Sequence, residues 1–411
     1  MKKNAIAIVA ATVLGTARIF GDTTADNPAS VEARARAGIE RGLNWLIARQ
    51  QTNGVWSSKE FPALTALPAW ALSAAGREQD RQAIQKAADF IKSCAQPDGG
   101  IYAIVPGRRG GSLGTYNTAI SMTALHYCDN AGSVRIIQKA REYVAATQLL
   151  GDDEYRGGFG YEKNTERPYA DLNNSSWAIS AMRLTQDVEE RRPAGEKRVD
   201  IDWDAALGFV DRMQLKPGQK DVTPDDVGGF LYKPETKKEG LPGAGKPPAG
   251  LGGKPPAGGM GGKPVVPTAA GGRPMLRSYG SITYSGILSM IYAQVGRDDP
   301  RVVSAIDYAR RHWTLDENPG MGQQGVYYYF TIMARALSLL DINELPSAKE
   351  GGAPIPWRDE LVEKVLSLQN QDGSWANGNN RFWEANPVLS TSYGVLTLEY
   401  ALRMYRGDTK E

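Results

Sequence analysis

Cysteine and histidine are nearly missing from this chain, which has two of each among 411 residues. Cys94 and Cys128 cannot build the disulfide framework on which small secreted domains rely, so the core must carry the fold. Chemistry that needs a histidine base is poorly served by His126 and His312. No Gly-x-Ser-x-Gly, phosphate-binding loop, His-Glu-x-x-His or dinucleotide fingerprint is present, and no cofactor is called for. An excess of charge is also missing. The 48 basic and 46 acidic residues leave a formal charge of +2, too small a field to attract nucleic acid. No stretch reaches the about 18 uninterrupted apolar residues of a transmembrane helix.

What is there begins with Lys2 and Lys3 ahead of the apolar run Ala5 to Leu14, followed by small residues at Gly15, Ala17 and Gly21. That order predicts a secretory signal peptide over 1–21 and an exported protein, periplasmic or extracellular. The remaining composition, 41% hydrophobic and 23% charged overall, suits a globular domain over 30–411. Lys233 to Arg277 is rich in Pro, Gly and Lys with almost no large apolar residues, which predicts a disordered insertion.

The chain repeats. Gln50 to Trp56 reads QQTNGVW and Gln369 to Trp375 reads QNQDGSW, so Gln-x-x-x-Gly-x-Trp occurs near both ends. Weaker copies keep glycine and aromatics: QPDGGIY at Gln96, GGFGY at Gly157, GGFLY at Gly228 and QGVYYY at Gln324. Before each turn, apolar residues recur at helical spacing, as in Ile39, Leu43 and Leu46, or Val303, Ile306 and Ala309, or Leu361, Val365 and Leu368. After each comes a second helical segment of small and apolar residues, such as TAISMTALHYC and SGILSMIYA. The unit is helix, turn, helix. About six such pairs, with a strong last turn, predict an all-α fold: a closed α/α toroid, a double-layered helical barrel with one helix of each pair lining the centre. The turn glycine supplies a backbone conformation costly to other residues, and the tryptophan packs onto helix ends between repeats.

The two Gln-x-x-x-Gly-x-Trp turns and the helix pairs resemble the squalene-hopene cyclase and protein prenyltransferase β-subunit superfamily, across nearly the whole mature chain. That resemblance implies a terpenoid cyclase-type toroid with a central ligand cavity. The cyclases carry an Asp-x-Asp-Asp acid motif whose middle aspartate protonates a polyene. The local counterpart here is Asp171-Leu172-Asn173-Asn174, with an amide in place of the acid, so standard cyclase activity is not expected. Prenyltransferases hold zinc through Asp, Cys and His. His126 and Cys128, two apart on a helix, lie roughly 200° around it and cannot face one ion, so no metal site is expected.

Other carboxylates beside turns or helix starts, Asp171, Asp225, Asp226 and Glu384, are candidate acids, because α/α toroids also host sugar-cleaving enzymes with paired acids. Tyr116, Asn117, Asn174, Tyr279, Tyr284, Tyr328 and Tyr393, near the starts of the second helices, are candidate ligand contacts around one mouth of the ring. Aromatics there suit an apolar or isoprenoid ligand, or stack on a glycan. The expected function is ligand or partner binding through the centre. A divergent enzyme on an isoprenoid or polysaccharide, and a structural or interaction scaffold, stand as alternatives. A filled ring centre together with an exposed apolar patch elsewhere would favour the scaffold, and a cluster of buried acids at one mouth the enzyme.

Overall fold

The computed structural model describes residues 30–104, 112–163, 169–234 and 277–405. The signal-peptide expectation for 1–21 and nearly all of the 233–277 insertion lie outside them. The helices, in order, are α1 (Val31–Ile47), α2 (Ala63–Ala75), α3 (Arg81–Ser93), α4 (Gly114–Ala146), α5 (Leu172–Leu184), α6 (Gln186–Glu190), α7 (Trp203–Met213), α8 (Gly280–Tyr292), α9 (Pro300–Arg311), α10 (Val326–Leu339), α11 (Trp357–Ser367) and α12 (Pro387–Tyr405). Helix α4 breaks at Asp129, whose φ of −153° leaves the helical region. Its first half is therefore the inner helix of the second pair and its second half the outer helix of the third. Among the described residues, strand pairing is limited to isolated bridges.

Several helices start where a short polar side chain accepts a free backbone N–H: Ser30 from Ala33 at 3.1 Å, Asp171 from Asn174 at 2.8 Å and Asp202 from Ala205 at 2.9 Å. Outer helices bury one stripe, as α3 does with Ala87, Ala88 and Ile91. On α9 the stripe is Val302, Ala305, Tyr308 and Ala309. The expected Val303 is 54% exposed, one position off the inward face, and Leu368 at 37% exposure lies just past the end of α11. Inner helices are buried nearly all round, which their small side chains permit. Thr123 and Ser289 spend their hydroxyls on the carbonyl four residues back, at 2.8 Å each, so neither hydroxyl is left unpaired between packed helices.

The inner helices pack in the order α2, α4, α5, α8, α10, α12 and back to α2, so the ring closes. Helices α1, α3, the second half of α4, α7, α9 and α11 form the outer layer. The turns join neighbouring repeats. Gly373 sits at φ +91°, and a Cβ there would lie 2.6 Å from the carbonyl oxygen of Arg41 on α1. Gly54, at φ +85°, meets Lys86 of α3 in the same way, 2.3 Å from its carbonyl oxygen. Left-handed backbone and backbone contact both demand glycine. Trp56 and Trp375 are fully buried, their indoles donating back to Leu46 O and Val365 O at 2.8 Å each.

The glutamine of the turn is the cross-link. Gln50 Nε2 donates to Gly54 O at 3.1 Å and to Ala83 O of α3 at 2.8 Å. Gln369 Nε2 donates to Gly373 O and to Gly38 O of α1, both at 2.9 Å. Gln148 and Gln214, absent from the sequence motif, do the same with Gly157 O and Asp202 O, and with Gly228 O and Arg301 O. The second and fifth turns depart: Gln96 Nε2 donates to Cys94 O at 3.1 Å and Tyr102 O at 2.7 Å within its own turn, and the fifth has no such bridge. There Gln324 offers only its carbonyl, to Asn318, and Asn318 ties back to Ser281 of α8.

Candidate functional site

All six inner helices begin at one mouth of the ring, and residues of the following repeat hold their first backbone groups there. Asn117 Oδ1 accepts from Ala63 N of α2 at 3.0 Å. Tyr161 O accepts from Thr115 N of α4 at 2.9 Å, and Tyr232 O from Leu172 N of α5 at 2.8 Å. Asn318 Oδ1 accepts from Ser281 N of α8 at 2.9 Å, and Glu384 Oε1 from Tyr328 N of α10 at 2.8 Å. The circle ends where Asn386, ahead of α12, donates to Ser57 of the first turn at 2.7 Å. The converging helix N-termini favour acceptors at this mouth, which is where the chain places these oxygens.

Within that mouth lies a recess. The first turns of four inner helices are otherwise buried, yet each leaves one side chain only partly buried: Tyr116 of α4, Asn173 of α5, Tyr279 at the start of α8 and Tyr328 of α10. These groups meet across the ring axis, since Tyr328 Oη donates to Asn173 Oδ1 at 2.7 Å although α5 and α10 are not neighbours. Tyr393 of α12 packs on Tyr328 with ring centroids 5.9 Å apart. Burial pushes the Tyr116 hydroxyl up to about 12 and those of Tyr279 and Tyr328 well above the ordinary tyrosine value, so all three are neutral donors.

Below the recess the centre is filled. Trp177 of α5 meets Tyr328 at 6.4 Å, Tyr116 at 6.2 Å and Trp70 of α2 at 6.5 Å, and Trp70 stacks on Tyr127 at 5.3 Å. Rings that cross the axis fill the deeper part of the central cavity that the resemblance implies and leave a recess at one mouth.

At the side of the recess, Asp171 is fully buried. It caps α5 and accepts from Asn174 N at 2.8 Å and Asn174 Nδ2 at 2.7 Å. The hydroxyls of Tyr169 and Tyr232 also bond to it, and Tyr161 Oη lies 3.2 Å from Tyr232 Oη. Burial raises the Asp171 carboxyl above its ordinary value despite these donors.

The other sequence candidates fall elsewhere. Asn117 and Glu384 are spent on helix starts, as above, and burial likewise raises Glu384. Asp226 binds Ser278 Oγ at 2.8 Å and Thr223 Oγ1 at 2.6 Å. Asp225 is exposed and meets Arg311 through its backbone oxygen. Asn174 serves Asp171. Tyr284 faces the outer layer, where it lines a void of about 10 Å³ with Tyr308, His312 and Tyr329. The acids therefore do not gather into a pair. A larger groove of about 360 Å³, between Arg156 and Arg212, lies on the outer surface. Sequence reasoning passed over Trp70, Trp177 and Tyr169, which look like ordinary core or loop aromatics until the ring brings them to the axis. His126 bonds Asp187 at 2.7 Å and Cys128 donates to Ala69 O at 3.3 Å. Among the described residues no three His, Cys, Asp or Glu side chains converge.

No family model and no curated protein matches the chain. Solved structures do match in shape. The chain is similar to the apo type II terpene cyclase MstE from Scytonema, at 11% identity and TM-score 0.52, over 91% of this chain and 99% of that one. It is similar to the Candida albicans protein geranylgeranyltransferase-I complexed with GGPP, at 12% identity and TM-score 0.51, over 89% and 92%. An inactive variant of an alpha-1,6-mannanase from Salegentibacter sp., in complex with alpha-1,6-mannotriose, matches at 11% identity and TM-score 0.50, over 91% and 99%. At such identities the likeness shows the fold, an α/α toroid.

Proposed function

We propose that this toroid binds a ligand in the recess at the mouth where its six inner helices begin. One observation carries the reading: the otherwise buried first turns of four inner helices each leave a single aromatic or amide side chain only partly buried, and Tyr328 and Asn173 among them meet across the axis. Packing alone gives no reason to gather partly buried tyrosines on the axis, whereas a site needs a concave surface with a few convergent polar groups. The ligand classes that this lining suits are isoprenoid and glycan. The same two classes are bound by the similar toroids in complex with GGPP and with alpha-1,6-mannotriose.

The test is equilibrium binding of the full chain to squalene in detergent and to three trisaccharides: alpha-1,6-mannotriose, maltotriose and cellotriose. At least one probe is expected to bind, and Tyr116→Ala or Tyr279→Ala to weaken it about tenfold or more, the effect of losing roughly 1.4 kcal/mol. Binding by none of the probes, or binding that both substitutions leave unchanged, contradicts the proposal.

Asp171 favours a second reading, that of a divergent enzyme acting on what the recess holds. Burial makes the Asp171 carboxyl hold its proton to higher pH than an ordinary aspartate, which makes it the candidate proton donor. Incubating squalene, and separately a mannan, with the wild-type chain and with Asp171→Asn decides it. Products formed only by the wild type support the enzyme, and products from neither leave the chain as a binding protein.

A further inference from the structure

Among the described residues Phe382 is the one exposed aromatic, at 44%. It stands at the mouth of the ring. The loop that carries it, between Trp375 and the start of α12, ties down the starts of α10 and α2. Glu384 accepts from Tyr328 N, Trp383 packs edge-on against Phe61 with ring centroids 5.3 Å apart, and Asn386 donates to Ser57. Phe382 itself lies on Gly325, the cap of α10, where a Cβ would come 3.2 Å from its Cδ2. Gly325 precedes Tyr328 by three residues, so the ring rests against the helix end about 4.5 Å above the recess. Beside it, Trp383 has a φ of +64°, left-handed and an outlier for a bulky aromatic. At that reversal the two neighbouring rings part, Trp383 onto Phe61 and Phe382 toward solvent. A conformation this costly persists only where the surroundings over-determine it, and such outliers gather at ligand clamps. One ring is too small a patch to seat a protein or a membrane. Its sequence neighbours are the amides of Asn379 and Asn380 and the guanidinium of Arg381, 5.9 Å from the ring centroid. An apolar face edged by hydrogen-bonding groups complements a sugar ring, whose C–H face is apolar and whose rim carries hydroxyls.

We propose that Phe382 is the outer subsite of the recess, stacking on one sugar unit of a glycan whose end lies among Tyr116, Tyr279 and Tyr328. This inference rests on the recess being a ligand site, and it narrows the two ligand classes to glycan. An isoprenoid at the same place covers the neighbouring amides without pairing them, a penalty that a sugar's hydroxyls avoid.

The experiment titrates the wild-type chain, Phe382→Ala and Phe382→Trp with the three trisaccharides and with squalene. The side chain is exposed, so both variants are expected to fold, and matching thermal midpoints verify it. At least one trisaccharide is expected to bind the wild type, to lose about tenfold in affinity in Phe382→Ala, and to stay within about threefold of wild type in Phe382→Trp, which keeps a stacking face. Tyr279→Ala, titrated alongside, reports on the recess independently. A trisaccharide bound equally by the wild type and Phe382→Ala overturns the inference, and the recess stands if Tyr279→Ala weakens that sugar. Equal losses in both Phe382 variants overturn it as well, since a retained aromatic face then does nothing. So does squalene binding without any trisaccharide, or squalene weakened by Phe382→Ala as much as the sugar is, the ring then being a plain apolar contact. Failure of every probe removes the recess itself, and this inference with it.

Discussion

Asp171 combines tasks that pull against each other. As the cap of α5 it accepts a backbone N–H, and it gathers Asn174 and two tyrosine hydroxyls, all of which favour its charged form. Burial favours the neutral form and wins, so the pKa lies above 3.8 in the fold. The folded state then holds the proton more tightly than the unfolded chain. That contribution to stability is complete below 3.8 and is lost as pH rises through the folded value. Asp171→Asn removes it. The midpoint of thermal unfolding of the wild type is therefore expected to fall relative to the variant as pH rises above 3.8, while an offset independent of pH would mean that the carboxyl is not raised. The capping role was legible from the sequence, since aspartate before a helical run is a start signal. Which aromatic side chains face the axis was not. Tyr284 follows Tyr279 by five residues, about 140° further round the helix, and points to the outer layer. Asn117, next to Tyr116, turns instead to the start of α2. Placing either needs the rotation of each helix in the ring, which tertiary packing sets.

The helix–turn–helix unit owes its cohesion to one amide. In four of the turns a glutamine donates both to its own turn and to the next outer helix, bridging two backbone carbonyls with a single side chain. Gln214→Ala leaves Gly228 O and Arg301 O without that donor and is expected to lower the unfolding free energy by roughly 1–3 kcal/mol. Gln324→Ala, in a turn that lacks the bridge, is expected to stay within about 0.5 kcal/mol of wild type. Denaturant unfolding of the pair checks both, and equal losses would show that the bridge is not what holds the repeats. The periodic turns were readable wherever the spacing was short. Gln50 precedes its bonded glycine by 4 residues, but Gln148 does so by 9 and Gln214 by 14. Lengthened turns keep the bond and erase the pattern.

Ring closure follows from the sixth turn docking on the first helix. Gln369 reaches Gly38, Arg41 bonds Gln369, and Trp45 donates to Asp372 at 2.8 Å, while α12 packs on α2. The seam between the two ends of the chain thus repeats the seam between neighbours, and no capping repeat is needed. Closure was foreseeable because both Gln-x-x-x-Gly-x-Trp turns, the first and the last, carry the full motif. The filled centre was not foreseeable, because Trp70, Trp177 and Tyr328 come from helices that are not adjacent and meet only once the ring has closed. That filling confines a ligand to one mouth. The most direct measurement is a crystal structure of the full chain grown with the tightest-binding of the four probes. Density for the probe is expected in the recess, bounded by Tyr116, Asn173, Tyr279 and Tyr328 with Trp177 at its floor; probe density anywhere else, with the recess unoccupied, would contradict the assignment of this mouth as the binding site.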